Sequence, residues 1–212
     1  WNTYAKIGTG STVNAYGYGV TTDSSGNVYA GGDMSGVGTL LVKFNSSGTM
    51  LDSKVLSSSQ RITDIVSDGT SIYVQISNNS SKVSIFKFDT SLTQVWARDF
   101  YWSGEGIAWY GRSPSIDSNG DLAIIFDDIA FPDAPGDFRT NTIKYLSDGS
   151  QTGSFPHLGR TLVIDATPNS WTAQTATNGS DGSAVSAPTI TQVSASRTNV
   201  TQTLTTEVTG IQ

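Results

Sequence analysis

The chain contains no cysteine. Disulfides and thiolate metal sites are therefore excluded, and cysteine usage says nothing about compartment. The one histidine, His157, follows Pro156 with no partner pattern around it. A histidine-clustered zinc or iron site and a Ser-His-Asp triad thus have nothing to build on. Charge is also scarce: 14 % of residues are charged, the formal net charge is −6, and the pI is near 4.5. So little charge argues against charge-driven disorder. No basic patch stands out, which removes nucleic acid from the expected partners. No apolar run approaches the roughly 20 residues needed to span a bilayer, so membrane insertion is not expected either. The start at Trp1 shows neither the charged nor the apolar region of a signal peptide, and the sequence reads as a piece of something longer. Helical periodicity is missing almost everywhere.

What is present is self-similarity. "DSSGNVYAGG" from Asp23, "DGTSIYVQIS" from Asp68 and "DSNGDLAIIF" from Asp117 each open with Asp, pass through small polar residues with Gly, and enter a strand pattern. Each is followed by an aliphatic-Lys-aromatic element and a second polar turn: "LLVKFNSSGTML" at 40–51, "SIFKFDTSLTQV" at 84–95 and "NTIKYLSDGSQT" at 141–152. The aspartates are 45 and 49 residues apart, and a degenerate fourth start follows 48 residues later at Asp165. The lysines step by 44 residues from Lys43 to Lys87 and by 57 from Lys87 to Lys144, so about 13 residues are inserted in the third copy, and the insertion is placed at 127–140. Short runs rich in Val, Ile, Tyr and Phe, bounded by Gly, Asn, Asp and Ser, are strand signals. Each copy reads as four strands, and a four-stranded unit at this period is what a propeller blade requires. The fold expected is all-β: four-stranded antiparallel blades, about three of them complete and others partial, within a larger protein.

The expected boundaries are an outer strand of a preceding blade at 1–15, blades at 16–60 and 61–105, a blade with its insertion at 106–160, and a degenerate blade or Ser/Thr-rich β tail at 161–212. The first of these rests on the match of "WNTYAKIGTG" and its continuation to "WARDFYWSGEG", with Trp1 at the place of Trp96. The tail either closes the array as an irregular last blade or is an extended segment that pairs with other chains.

"YGYGVTTDSSGNVYAGG" followed by "LLVKFNSSGTML" resembles the bacterial seven-bladed-propeller-type (SBBP-like) repeat, in arrays like those of long structural proteins of marine bacteriophages. The likeness is good over 16–56, fair over 61–100, weak over 106–155 and poor beyond. It implies a propeller scaffold and brings no catalytic residue with it. "SIDSNGDL" at 115–122 also resembles the Asp-box turn of sialidase propellers, a structural turn, but with Leu122 in place of its aromatic residue.

The Asp turns read first as tight turns, because Asp bonds its own backbone two residues on and Gly adopts positive φ cheaply. Calcium is the alternative, with Asp117, Asn119 and Asp121 the better ligand set and Asp127, Asp128, Asp133 and Asp137 of the insertion a second one. The four acids of the insertion are also the pattern of paired carboxylates in glycoside hydrolysis, or of a loop made acidic for solubility. Trp96, Trp102, Trp109 and Tyr110 form the densest aromatic patch. They fit packing between blades, or an exposed surface for glycan or protein.

No catalytic constellation is found, and no cofactor other than calcium is implied. The leading expectation is a non-enzymatic structural or interaction protein, a bacteriophage virion component of tail, tail tip or fibre. Its partners would be copies of itself, other virion proteins, or a glycan or protein of the host surface. The alternative is a secreted or cell-surface bacterial adhesion module. A propeller hydrolase with its active site outside this sequence is the third.

Overall fold

A computed structural model describes residues 4–6, 15–34, 38–56, 60–78, 82–103, 109–111, 113–131, 134–157, 160–167, 171–173 and 177–179. The chain divides into two compact bodies, Trp1–Ser180 and Asp181–Gln212. All described residues belong to the first, so the expectations for the Ser/Thr-rich tail lie almost wholly outside them.

The described residues are all-β and contain no helix. In chain order the strands are β1 (Tyr4–Lys6), β2 (Ala15–Thr22), β3 (Val28–Met34), β4 (Gly38–Phe44) and β5 (Met50–Leu56). The next four are β6 (Arg61–Ser67), β7 (Ser71–Asn78), β8 (Lys82–Asp89) and β9 (Gln94–Trp102). Then come β10 (Trp109–Gly111), β11 (Ser115–Ile116), β12 (Leu122–Phe131) and β13 (Ala134–Tyr145). The last are β14 (Gly153–His157), β15 (Arg160–Ala166), β16 (Thr172–Ala173) and β17 (Thr177–Gly179).

These strands form four sheets, with every pairing antiparallel and none of the sheets closed on itself among the described residues. The first sheet is the meander β2-β3-β4-β5 with β16 added beyond β5. The second is the meander β6-β7-β8-β9, extended by β15 and then β14. In the third, β10 and β11 share one edge of β12 and β13 takes the other. β1 and β17 form a separate pair. The insertion at 127–140 is the far part of the β12–β13 hairpin, where Asp127 faces Thr140 and Asp128 faces Arg139.

The reason for the meanders is local. In each repeat the Asp turn closes with a bond between the main chains of its first and last residues: Asp23 N to Asn27 O at 3.0 Å, Asp68 N to Ser71 O at 3.3 Å, and Asp117 N to Asp121 O at 2.9 Å. Gly26, Gly69 and Gly120 supply the left-handed residue, at φ 78°, 91° and 83°. The strands on either side carry alternating apolar residues, so each sheet has two faces to cover.

At two junctions those faces are covered by neighbouring repeats. Tyr29, Leu41 and Leu56 of the first sheet pack with Ile62, Ile65, Ile72, Val74, Phe86 and Phe88 of the second. Across its opposite face the second sheet contributes Tyr73, Ile85, Trp96 and Phe100, which pack with Leu122, Ile124 and Tyr145 of the third. Burial of apolar area, at roughly 25 cal/mol per Å², is the main favourable term at both junctions. The first approach is close enough to exclude side chains: a Cβ at Gly19 would lie 2.8 Å from the backbone nitrogen of Ile65.

Candidate functional site

The polar groups most deeply engaged lie at the two junctions between repeats. Asp23 is buried, and its carboxylate is fully occupied by its own turn. It accepts from the backbone N–H of Ser25 and Asn27 (both 2.9 Å), from Asn27 Nδ2 (2.8 Å) and from Tyr29 Oη (2.9 Å). Asp68 repeats the pattern with Thr70, Ser71 and Tyr73. Burial by itself would raise both carboxyl pKa values. The hydrogen bonds outweigh it and hold both groups below the ordinary carboxylate value. Burial and the facing carboxylates push the Tyr29 and Tyr73 hydroxyls up, so both donate throughout the accessible pH range.

Each tyrosine stands opposite the repeat's lysine on the next strand, Tyr29 facing Lys43 and Tyr73 facing Lys87. The ammonium lies over the ring, 5.6 Å and 5.2 Å from its centroid. From there it reaches into the following repeat. Lys43 Nζ donates to the carbonyl oxygen of Thr90 at 2.7 Å, and Lys87 Nζ donates to that of Ser147 at 2.9 Å. Thr90 and Ser147 occupy the same place in the second turns of repeats two and three, one residue after Asp89 and Leu146. Lysine, tyrosine ring and turn carbonyl therefore form a latch from each repeat to the next.

Other groups support the latches. Tyr29 Oη lies 2.8 Å from Thr90 O and shares its one hydrogen between that carbonyl and Asp23, and Trp96 Nε1 donates to Ser147 O at 3.1 Å. Arg98 donates to Gly149 O from Nε and Nη2, at 3.0 and 2.7 Å. Ser24 joins the first turns directly, its N and Oγ donating to Gly69 O at 3.0 and 2.9 Å.

In the third repeat Ala123 stands where the other repeats have Tyr29 and Tyr73. Lys144 turns instead to its own repeat and pairs with Asp117 at 2.8 Å and Asp121 at 3.1 Å, its side chain 58 % exposed. The Lys144 hydrogen bond lowers the Asp117 pKa, and the Asp117 bond raises that of Lys144. The ammonium thus stands between two of the three residues considered as calcium ligands. Asp117 Oδ1 is further engaged by the backbone N–H of Asn119 and Asp121, while Asn119 itself is exposed.

Of the insertion acids, Asp127 accepts from Thr140 Oγ1 at 2.9 Å. Asp128 and Asp137 are placed by backbone alone, and Asp133 lies outside the described residues. No cluster of three or more metal-ligating His, Cys, Asp or Glu side chains occurs among the described residues. Trp96 and Trp102 are 8 % and 2 % exposed and belong to the core between repeats two and three, where Trp96 meets the Tyr145 ring edge-on at 5.7 Å. Both rings face inward because residues 96, 98, 100 and 102 of β9 share the face turned to the third sheet. The Trp109 and Tyr110 side chains lie outside the described residues.

Sequence reasoning passed over Trp171, which packs edge-on against Phe86 and Phe88 at 5.8 and 5.7 Å. No repeat pattern marks it. It also passed over the carbonyl partners of the lysines, although the constant aliphatic-Lys-aromatic spacing was a signal that the lysine has one recurring job. The chain matches no family model, no curated protein and no solved structure.

Proposed function

We propose that this chain is a non-enzymatic scaffold of propeller-type blades that acts by assembly, as a structural component of a bacteriophage virion in the tail, tail tip or fibre. The observation that carries the scaffold reading is the latch, the same lysine-to-carbonyl bond at both junctions. In the first two repeats the lysines bond across the junctions, and the aspartates are taken up by their own turns and tyrosines. Blades that bury their faces only against neighbours are building units rather than reaction vessels. The virion placement rests on the resemblance of 16–56 to repeats of phage structural proteins.

The test is to label intact phage particles with an antibody against this chain and image them. Label at the tail or fibre, with the chain recovered from purified particles by mass spectrometry, is the expected result. A chain found only in the culture supernatant or on the bacterial surface overturns the virion reading.

One observation favours the adhesion reading. Tyr16 is 55 % exposed and stacks on Tyr18 at 6.4 Å, and the Arg61 guanidinium lies 5.2 Å from the Tyr18 centroid. An exposed stacked ring pair beside a cation suits a sugar face. Glycan-array binding that is lost in Tyr16→Ala would establish that reading. A blank array would remove it.

A further inference from the structure

In the first two repeats the chain leaves its second turn and pairs at once with the strand it has just left. Phe44 faces Met50 and Lys43 faces Asp52. Phe88 faces Gln94 and Lys87 faces Trp96. The same offsets in the third repeat set Gln151 against Tyr145, Gly153 against Lys144 and Phe155 against Thr142. Residues at the start of that register touch through side chains rather than through ladder bonds. Tyr145 Oη donates to the Gln151 carbonyl at 2.8 Å, and the Leu146 N–H donates to Gln151 Oε1 at 3.2 Å. Beyond this point the two strands part.

β13 then pairs with β12 alone and β14 with β15 alone among the described residues, so each presents an open edge. Between them is a cleft of about 260 Å³, lined by Thr142 and Lys144 from β13, Phe155 and Pro156 from β14, and Leu162 and Ile164 from β15. The departure begins in the turn, where the Leu146 N–H goes to Gln151 Oε1 in place of the main-chain bond that closes the other two second turns, and Gly153 follows at φ 124°. Its counterparts Asp52 and Trp96 are ordinary strand residues. A Cβ at Gly153 would meet nothing within 4 Å, so glycine is required there by its dihedral and not by lack of space.

Two open edges that would be paired in the repeat's own register, joined by a glycine that turns one away, make a junction able to close. We infer that the cleft is the open state of a strand junction in which β14 pivots at Gly153 and pairs with β13, joining the second and third sheets into one continuous sheet. Closure satisfies the backbone groups of both edges, which otherwise depend on water. Pro156 has no N–H to give, so the pairing runs from Gln151 to Phe155 and stops there. The open state leaves β13 as a free template, and the closed state removes it.

The absence of cysteine makes the test clean. The double variant Thr142→Cys/Phe155→Cys carries its only thiols on opposite walls of the cleft. Closure in the inherited register brings their Cβ atoms within disulfide range, about 3.5–4.5 Å. Mild oxidation should then give an intramolecular disulfide in nearly all molecules. Thr142→Cys/Ser154→Cys, with side chains on opposite faces, should stay reduced. Adding Gly153→Ala to the first pair penalises the parted backbone and should speed the bond several-fold. A first pair that stays reduced while both thiols react with a maleimide overturns the proposal, as does slower closure with Gly153→Ala. Hydrogen exchange on the unaltered chain gives an independent reading. Protection of β13 amides from Asn141 to Lys144 that do not bond β12 supports closure, and exchange at open-edge rates contradicts it.

Discussion

A lysine held over a tyrosine ring and donating to a neighbour's carbonyl differs from a lysine paired with an exposed carboxylate, and this chain contains both. Lys87 is half-buried and its bond to Ser147 O crosses a junction. Lys87→Met keeps the stem but removes the charged donor, leaving that carbonyl only the weaker bond from Trp96 Nε1. Urea denaturation should show a loss of about 1–2 kcal/mol, in the range for a hydrogen bond to a charged group. Lys144→Met removes the two ion pairs of a largely exposed ammonium, with Asp117 and Asp121, and its midpoint should stay close to the parent's. Equal effects at the two positions would mean that the latch contributes nothing. Acid should find the same residues from the other side. The Asp23 and Asp68 carboxyls are held below the ordinary carboxylate value in the folded chain by their hydrogen bonds. Their contribution is present above that value, where both states are ionised. It falls away as pH drops through the depressed folded value, because the unfolded chain takes up protons first. Thermal melts from pH 6 downward should show stability lost mainly below about pH 4, and Asp23→Asn should flatten that loss.

At the scale of elements, the approach of β2 to β6 depends on having no side chain at Gly19. Gly19→Ala puts a methyl against the Ile65 backbone, which cannot rotate away. A cost of about 1–3 kcal/mol is expected from overpacking, read as a lower denaturation midpoint. The meanders were legible in the sequence because their causes are short-range: an Asp turn with its glycine, a period-2 apolar pattern, a lysine at fixed spacing. All-β character followed from the same signals. The positions of β14, β15 and β16 were not legible. "GSFPH" and "RTLVIDA" carry ordinary strand chemistry, and nothing local says that they add to β9 rather than to β13. Their placement rests on pairing between residues far apart in the chain, such as Tyr101 with Val163 and Val55 with Thr172. Composition was equally silent about which tryptophans face inward. Alternation along β9 decides that, and the four-residue aromatic patch obscured it by running past β9 into β10.

At the scale of the whole described body, the two larger apolar clusters lie between sheets, and only the smaller one of Leu40, Val42, Phe44 and Val55 lies within a single repeat. A lone repeat cannot bury those faces. A peptide of residues 16–60 should therefore show no native strand signal by circular dichroism and no dispersed amide spectrum. Residues 1–180, the body as it stands, should melt in one transition. An autonomously folded 16–60 would contradict the mutual-burial account and weaken the scaffold reading with it.

The latch's acceptor is a main-chain oxygen, and every amino acid carries one. "DTSLT" and "LSDGS" share almost nothing at the second turn, yet Thr90 and Ser147 serve the same lysine role. A joint of that kind is indifferent to mutation at the receiving end so long as the loop keeps its shape. Lineages carrying it can diversify their outward-facing residues while the order of neighbours stays unchanged.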